Sequence, residues 1–540
     1  MKKPIVIAAL SCVLVTAACS AESTDSDPKA PLDDGSATVD LDSGRIRGTV
    51  TDEYRSFEGV PYAAPPVGDL RWAPPEAVEP WEGTRDAVEP GNLCPQEATQ
   101  YADSASLNED CLYLNVTVPR GVESDRPRPV MVWIHGDGVV GGGEFFDGRP
   151  LATTGDVIVV TVNYRLGLFG AFGHPDLPDG GTFGLQDQQA ALRWVQRNAE
   201  AFGGDPDNVT VFGESYGALS VSAHLTSPAA EGLFDRAIVQ SGMALSDLPA
   251  GALNPGLEAL DWHGWRSAEE TAALGASVAG ELGCADPSTA LACLRAKPVA
   301  ELFEYPQIMR IFQPWTFGNE TLPVVPAQAI RDGDSHQVPV ISGSTKDEHR
   351  IFVGFFFDLL GTPVTAEQYP QLLATTFGDD AAAVEAEYPL TGFESPSIAW
   401  ATVMTDRMWA TFTFEQNQLF SDRAETYAYE FADTEAPMYV PFPDTLPPGA
   451  YHAADVPYLF PGEEFADATP EQRELSTTMM TYWANFATDG DPNGTDLPEW
   501  TAFDTADRVP YVQSLGPGSG AIGAVDYAAA HRLEFWDHLR

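Results

Sequence analysis

The sequence predicts an α/β fold: a mostly parallel central sheet flanked by helices. Three observations carry that prediction. Residues 129–134 and 157–163 are short β-branched apolar runs bounded by turn residues, which suits strands buried on both faces. Residues 186–202 place Leu192, Val195 and Ala199 at helical spacing, and 208–212 (NVTVF) return to strand character. From about 250 to 470 the chain is longer between such elements, irregular and rich in aromatics. Strands alternating with helices close a sheet by right-handed crossovers. The later stretches then read as large loop and helical insertions around a site at the sheet's carboxyl edge.

Composition narrows the partners. The 540 residues carry 79 acidic against 29 basic side chains, a formal charge of −50. Such a field repels phosphate polyanions, which argues against nucleic acid. With 44% apolar and 11% aromatic residues spread along the chain, the acidity belongs to a folded body rather than a disordered tail.

The N-terminus predicts export. Lys2 and Lys3 precede an apolar run over 5–18, and Thr16-Ala17-Ala18 lead into Cys19. This is the charged, apolar and small-residue pattern of a signal peptide over 1–18, too short to span a bilayer comfortably. A cysteine directly after small residues resembles the bacterial lipobox, in which Cys19 becomes the acylated N-terminus and a membrane anchor. Thr16 stands where that pattern usually has Leu, and an ordinary secretory cut after Ala18 is the alternative. Residues 19–36, rich in Ser, Asp, Ala and Pro, read as a flexible tether, and 37–540 as a single domain without repeats. Export permits disulfides, and short loop closure favours Cys94–Cys111 and Cys284–Cys293 among the three possible pairings. No C-x-x-C pair or neighbouring histidines support metal binding by these cysteines.

The strand at 208–212 runs into Gly213-Glu214-Ser215-Tyr216-Gly217, followed by a helical pattern. G-x-S-x-G between a strand and a helix is a nucleophile turn: the glycines leave room for a backbone so sharp that the Ser215 hydroxyl stands exposed at a helix N-terminus. The segment FGGDPDNVTVFGESYGA (202–218) closely resembles the active-serine segment of type-B carboxylesterases, the α/β-hydrolase branch that includes cholinesterases. The similarity extends through FEGVPYAAPPVGDLRWAPP (57–75), NEDCLYLNV (108–116), NYRLGLFG (163–170), GLQDQQAALRWVQRN (184–198) and TYWANFATDGDPNG (481–494). It implies the α/β-hydrolase fold and a carboxylic-ester hydrolase that works through an acyl-enzyme.

Serine needs a base, and the base needs an orienting acid. GAYHAADVPYLF (449–460) resembles the family's catalytic-histidine loop and implies His452, with His336 and His349 as nearest rivals. GSTKDEHRIF (343–352) resembles the segment of the catalytic acid and implies Glu348 rather than the adjacent Asp347. The order Ser215, Glu348, His452 is the one expected of this fold. By the same resemblance Ser241 hydrogen-bonds the acid, and the oxyanion donors are the N–H groups of Asp137, Gly138 and Tyr216. Here the chain departs from the family: Asp137 stands in place of a glycine of H-G-G-G, and Tyr216 in place of the usual Ala. A carboxylate pointing into the oxyanion site slows the reaction; one pointing away is tolerated. His135 reads as structural.

The expected partner is a small ester, with neutral or cationic esters preferred over polyanionic ones, and no metal or organic cofactor. The aromatics of 303–317 and 351–357 are candidates for lining an acyl pocket. The segment between Cys94 and Cys111 has Tyr101 but no Trp, so a choline site against a tryptophan is unsupported. The competing classes are a catalytically weak or inactive binding protein of the same fold, an amide or carbamate hydrolase, and a lipase.

Overall fold

The computed structural model describes residues 37–99, 102, 104–120, 126–253, 256–305 and 307–539. The expected signal peptide and tether, with Cys19, lie outside the described residues, as does Tyr101. The principal sheet runs, edge to edge, Gly523–Val525, Val512–Leu515, Thr426–Phe431, Val340–Thr345, Arg236–Gln240, Gly204–Glu214, Arg128–Ile134, Ile158–Val162, Tyr113–Pro119, Tyr54–Pro61 and Thr49–Val50. From Val512–Leu515 to Ile158–Val162 neighbours are parallel; antiparallel pairings occur only toward the two edges.

Alternation along one strand explains how both faces are covered. Val130, Val132 and Ile134 join the core beneath helices Phe183–Asn198 and Tyr216–Thr226. Met131 and Trp133, pointing the other way, join the core beneath helices Arg149–Gly155 and Pro470–Asp489. A strand apolar on every residue is therefore a strand buried twice. The helix expected over 186–202 spans Phe183–Asn198 and tightens into a 3₁₀ turn, Ala199–Phe202, before Gly203 at φ 84° ends it.

The expected insertions fall between Arg236–Gln240 and Val340–Thr345, between Val340–Thr345 and Thr426–Phe431, and after Phe431; the second of these is the most helical. That second segment folds as helices with a third core around Trp400, Met404 and Trp409, and includes two π-helical turns, Gly354–Asp358 and Thr405–Ala410. The C-terminal segment returns to this insertion, where Trp536 Nε1–H donates to the Tyr388 hydroxyl at 2.8 Å. Both expected disulfides, Cys94–Cys111 and Cys284–Cys293, are present. No helix among the described residues is long and apolar enough to cross a membrane.

Register is what positions the site. Ile134 pairs with Gly213, Glu214 with Gln240, and Gln240 with Gly343. Four adjacent parallel strands thus end at one level, and the residues that follow them emerge together.

Candidate active site

Those four strand ends deliver Asp137, Ser215, Ser241 and Glu348. Ser215 has φ 57° and ψ −120°, a strained conformation for a residue with a side chain. It persists because its surroundings permit nothing else. Ser215 N–H donates to Gln240 O at 2.9 Å. A Cβ on Gly213 would lie 2.7 Å from Ile134 O, and one on Gly217 2.0 Å from the same atom. The motif glycines let the turn pass against the neighbouring strand.

The expected acid and base come from separate loops. Buried Glu348 accepts Ser241 Oγ–H at 2.6 Å and Thr345 N–H at 2.8 Å on Oε1, which leaves Oε2 for His452 Nδ1–H at 2.6 Å. That bond fixes the tautomer and presents Nε2 to the cavity. Nε2 lies 3.2 Å from Glu214 Oε1, out of hydrogen-bonding alignment, and no hydrogen bond joins it to Ser215. Such contacts are often loose before substrate arrives. Burial disfavours the imidazolium, but Glu214 and Glu348 together outweigh it and push His452 up to about 9. Burial pushes Glu214 up to about 8, against the opposing pull of His452. Glu214 and His452 therefore titrate as a pair. The rings of Trp409 and Phe352 pack on the imidazole at 4.6 and 5.2 Å.

The loop after Ile134 carries the departure from the family pattern. Asp137 adopts φ 62°, a region that Asp tolerates through local hydrogen bonds. Its carboxylate turns back on the loop and accepts Val139 N–H at 3.1 Å. Burial raises its pKa, opposed by Arg310 and by the loop amides. Gly138 N–H closes a tight turn onto Gly136 O at 2.9 Å, while Asp137 N–H makes no backbone bond. Tyr216 N–H is the first donor of its helix and has no partner within it. His135, expected to be structural, donates its Nδ1–H to Gly136 O at 3.1 Å and stacks its ring on Tyr164, while its buried Nε2 has no hydrogen-bond partner.

These groups open into a cavity of about 520 Å³. Phe352, Phe356, Trp409 and Phe460 supply aromatic walls; Met243, Leu253 and Met408 line an aliphatic stretch interrupted by His263. The two aromatic segments singled out above contribute only in part. From 303–317 the lining residues are Arg310, Gln313 and Pro314, none of them aromatic, and from 351–357 they are Phe352 and Phe356. The rings of 303–317 pack elsewhere: Phe312 and Trp315 are buried in the core, with Phe303, Tyr305 and Phe317 partly buried against it.

The rival residues have other partners. His336 Nε2–H donates to Ser227 O at 2.9 Å. His349 donates from Nε2 to Ala252 O at 3.0 Å and accepts Trp409 Nε1–H at Nδ1, 3.3 Å. Asp347 pairs with Arg350 at 2.8 Å and accepts Ala450 N–H. Two residues of the site escaped the sequence reading. Glu214 lay inside the serine motif, yet nothing in the motif says that it faces the base. Gln313 reaches the oxyanion loop from 176 positions away.

Comparison with known proteins agrees with this geometry. The model of the carboxylesterase family matches residues 35–536. The chain belongs to that family. It is 35% identical to an acylcarnitine hydrolase of Mus musculus over 514 residues, 89% of this chain and 86% of the relative. It is 33% identical to a cocaine esterase of Homo sapiens, again over 89% and 86% of the two chains. A thermophilic PNB esterase structure superposes with a TM-score of 0.74 at 30% identity, covering 92% of this chain and 99% of that one. The protein is a carboxylic-ester hydrolase with the α/β-hydrolase fold.

Proposed function

We propose that Ser215, His452 and Glu348 carry out ester hydrolysis, with the oxyanion held by the N–H groups of Asp137, Gly138 and Tyr216. Ser215 Oγ attacks the ester carbonyl as its proton passes to His452 Nε2. The tetrahedral oxyanion draws on those backbone donors, Gly138 N–H being shared with Gly136 O. Collapse expels the alcohol, which takes the proton from His452, and leaves the acyl group on Ser215. Water then attacks the acyl-enzyme with His452 as base, and Ser215 recovers its proton. Glu348 stays ionised and holds the imidazole.

One observation carries this reading: the Ser241–Glu348–His452 hydrogen-bond chain ends at the cavity that contains the strained Ser215. The cavity's aromatic and aliphatic walls support an apolar acyl or alcohol group. The folding back of the Asp137 carboxylate supports a working oxyanion hole over a binding protein that has lost catalysis. Export belongs to the same proposal, supported by the basic and apolar N-terminus and by two disulfides, bonds that persist in oxidising compartments. Lipidation at Cys19 anchors the chain in this reading, and mass analysis of the mature N-terminus tests it.

The deciding experiment is hydrolysis of p-nitrophenyl esters of graded acyl length, beside Ser215→Ala. Turnover abolished by the substitution is expected; turnover that survives it overturns the assignment.

A further inference from the structure

We propose that Gln313 is a positioning residue of the oxyanion hole: its side-chain amide clamps the Asp137–Gly138 peptide, and the Tyr216 hydroxyl holds Gln313 in place. The proposal rests on the oxyanion donors assigned above.

Accounting for the loop's carbonyls leads to it, since each needs a partner when buried. His135 O accepts the Tyr164 hydroxyl at 2.7 Å. Gly136 O accepts Gly138 N–H and His135 Nδ1–H. Gly138 O accepts Gly167 N–H at 2.9 Å. Asp137 O accepts Gln313 Nε2–H. Gln313 alone among these donors belongs to the strap that crosses the cavity wall after helix Ile308–Ile311.

The clamp acts on a catalytic direction. In a trans peptide the C=O and the following N–H point opposite ways. A donor fixed on Asp137 O therefore fixes where Gly138 N–H points. Asp137 at φ 62° sits in a region that side-chain-bearing residues occupy only when surroundings hold them there. Releasing Asp137 O frees that peptide to rotate and leaves Gly138 N–H governed by its bent turn onto Gly136 O.

Tyr216 completes the device. Its hydroxyl donates to Gln313 O, and its ring packs on Trp315 at 5.0 Å. The same ring lies against Gly138, where a Cβ would come within 2.6 Å of it. One residue thus offers an oxyanion donor from its backbone and, through its side chain, holds the clamp on another. The chain's two departures from the family pattern, Asp137 and Tyr216, meet at Gln313.

The test uses the full mature chain with Gln313→Met, which keeps the length but removes the donor, together with Tyr216→Phe and the double variant. Two quantities are read: kcat and KM on p-nitrophenyl butyrate, and inhibition by an alkyl trifluoromethyl ketone. That ketone adds Ser215 Oγ at its carbonyl carbon, passes the serine proton to His452, and leaves its oxyanion in the hole. Gln313→Met should lower kcat about tenfold and weaken the ketone by about the same factor, with KM changed less than about twofold, as for a donor misaligned rather than deleted. Tyr216→Phe should fall the same way, and the double variant should lose less than the product of the two singles. A raised KM with kcat intact, a lost kcat with ketone affinity intact, or multiplicative losses overturn the proposal. If Gln313→Met does not fold, Tyr216→Phe reads the same clasp from its other end by the same two quantities. Failure of the underlying reading is distinct, because it shows as turnover that survives Ser215→Ala.

Discussion

Two buried histidines in this molecule sit between two carboxylates, and only one of them belongs to the cavity. His452 has Glu348 at 2.6 Å and Glu214 at 3.2 Å; His531 has Asp406 at 2.6 Å and Glu430 at 2.7 Å. In both, burial works against the imidazolium, carboxylates overcome it, and the pKa rises to about 9. The difference lies in what remains free. Both nitrogens of His531 are committed, and Tyr388 and Arg532 add their own hydrogen bonds to Asp406 at 2.8 and 3.1 Å. That network fastens the C-terminal segment to the insertion and to the strand Thr426–Phe431. His452 commits one nitrogen and leaves Nε2 without a hydrogen bond, in the cavity that also holds half-buried Ser215. A raised pKa and a carboxylate partner therefore do not by themselves mark a catalytic histidine; in His452 they accompany an uncommitted nitrogen in the cavity that holds Ser215.

Substitution separates the two sites most sharply. His452→Ala should lower kcat by a factor on the order of 10⁴ or more and cost less stability than His531→Ala, because Glu348 keeps its hydrogen bonds from Ser241 and Thr345. Equal loss of stability and activity would break the distinction. His531→Ala should do the reverse. It strands buried Glu430 and takes one partner from Asp406, which keeps Tyr388 and Arg532, and it costs about 3–5 kcal/mol, read as a lower urea midpoint, while kcat stays near wild type under folding conditions.

pH sharpens the comparison further. His531 is raised from 6.5 to about 9 on folding, so its contribution to stability is complete below about 6.5 and is lost as pH rises through about 9. The unfolding midpoint should fall over that window in the wild type, and the slope attributable to this group should disappear in His531→Gln. An unchanged slope would remove His531 from the account. The smallest effect is expected from Glu214→Gln. Without that carboxylate His452 loses its proton more readily, so the acid limb of kcat/KM should move to lower pH by about one unit or more. A limb that stays in place would mean that Glu348 alone sets the base.

What was legible in the sequence was legible for local reasons. Gly213, Ser215 and Gly217 announce a turn because their steric demand is met by chain neighbours and one adjacent strand. The doubly apolar runs announce buried parallel strands because every residue of such a strand faces a core. Glu348 and His452 emerged from segments resembling a family, not from any physical pattern of their own. The aromatic segment 303–317 misled in part, since a ring lining a cavity and a ring filling a core look identical in one dimension.

The sequence by itself therefore determined the strand–serine–helix turn, the parallel sheet and the two short disulfide loops, all properties of contiguous residues. Only the tertiary structure decided that Glu214 faces His452, that Gln313 reaches Asp137 O, and that His531 is locked while His452 is not. Those contacts join residues more than a hundred positions apart in most cases, and the level at which four parallel strands end, together with the path of the insertions above them, sets which side chains meet.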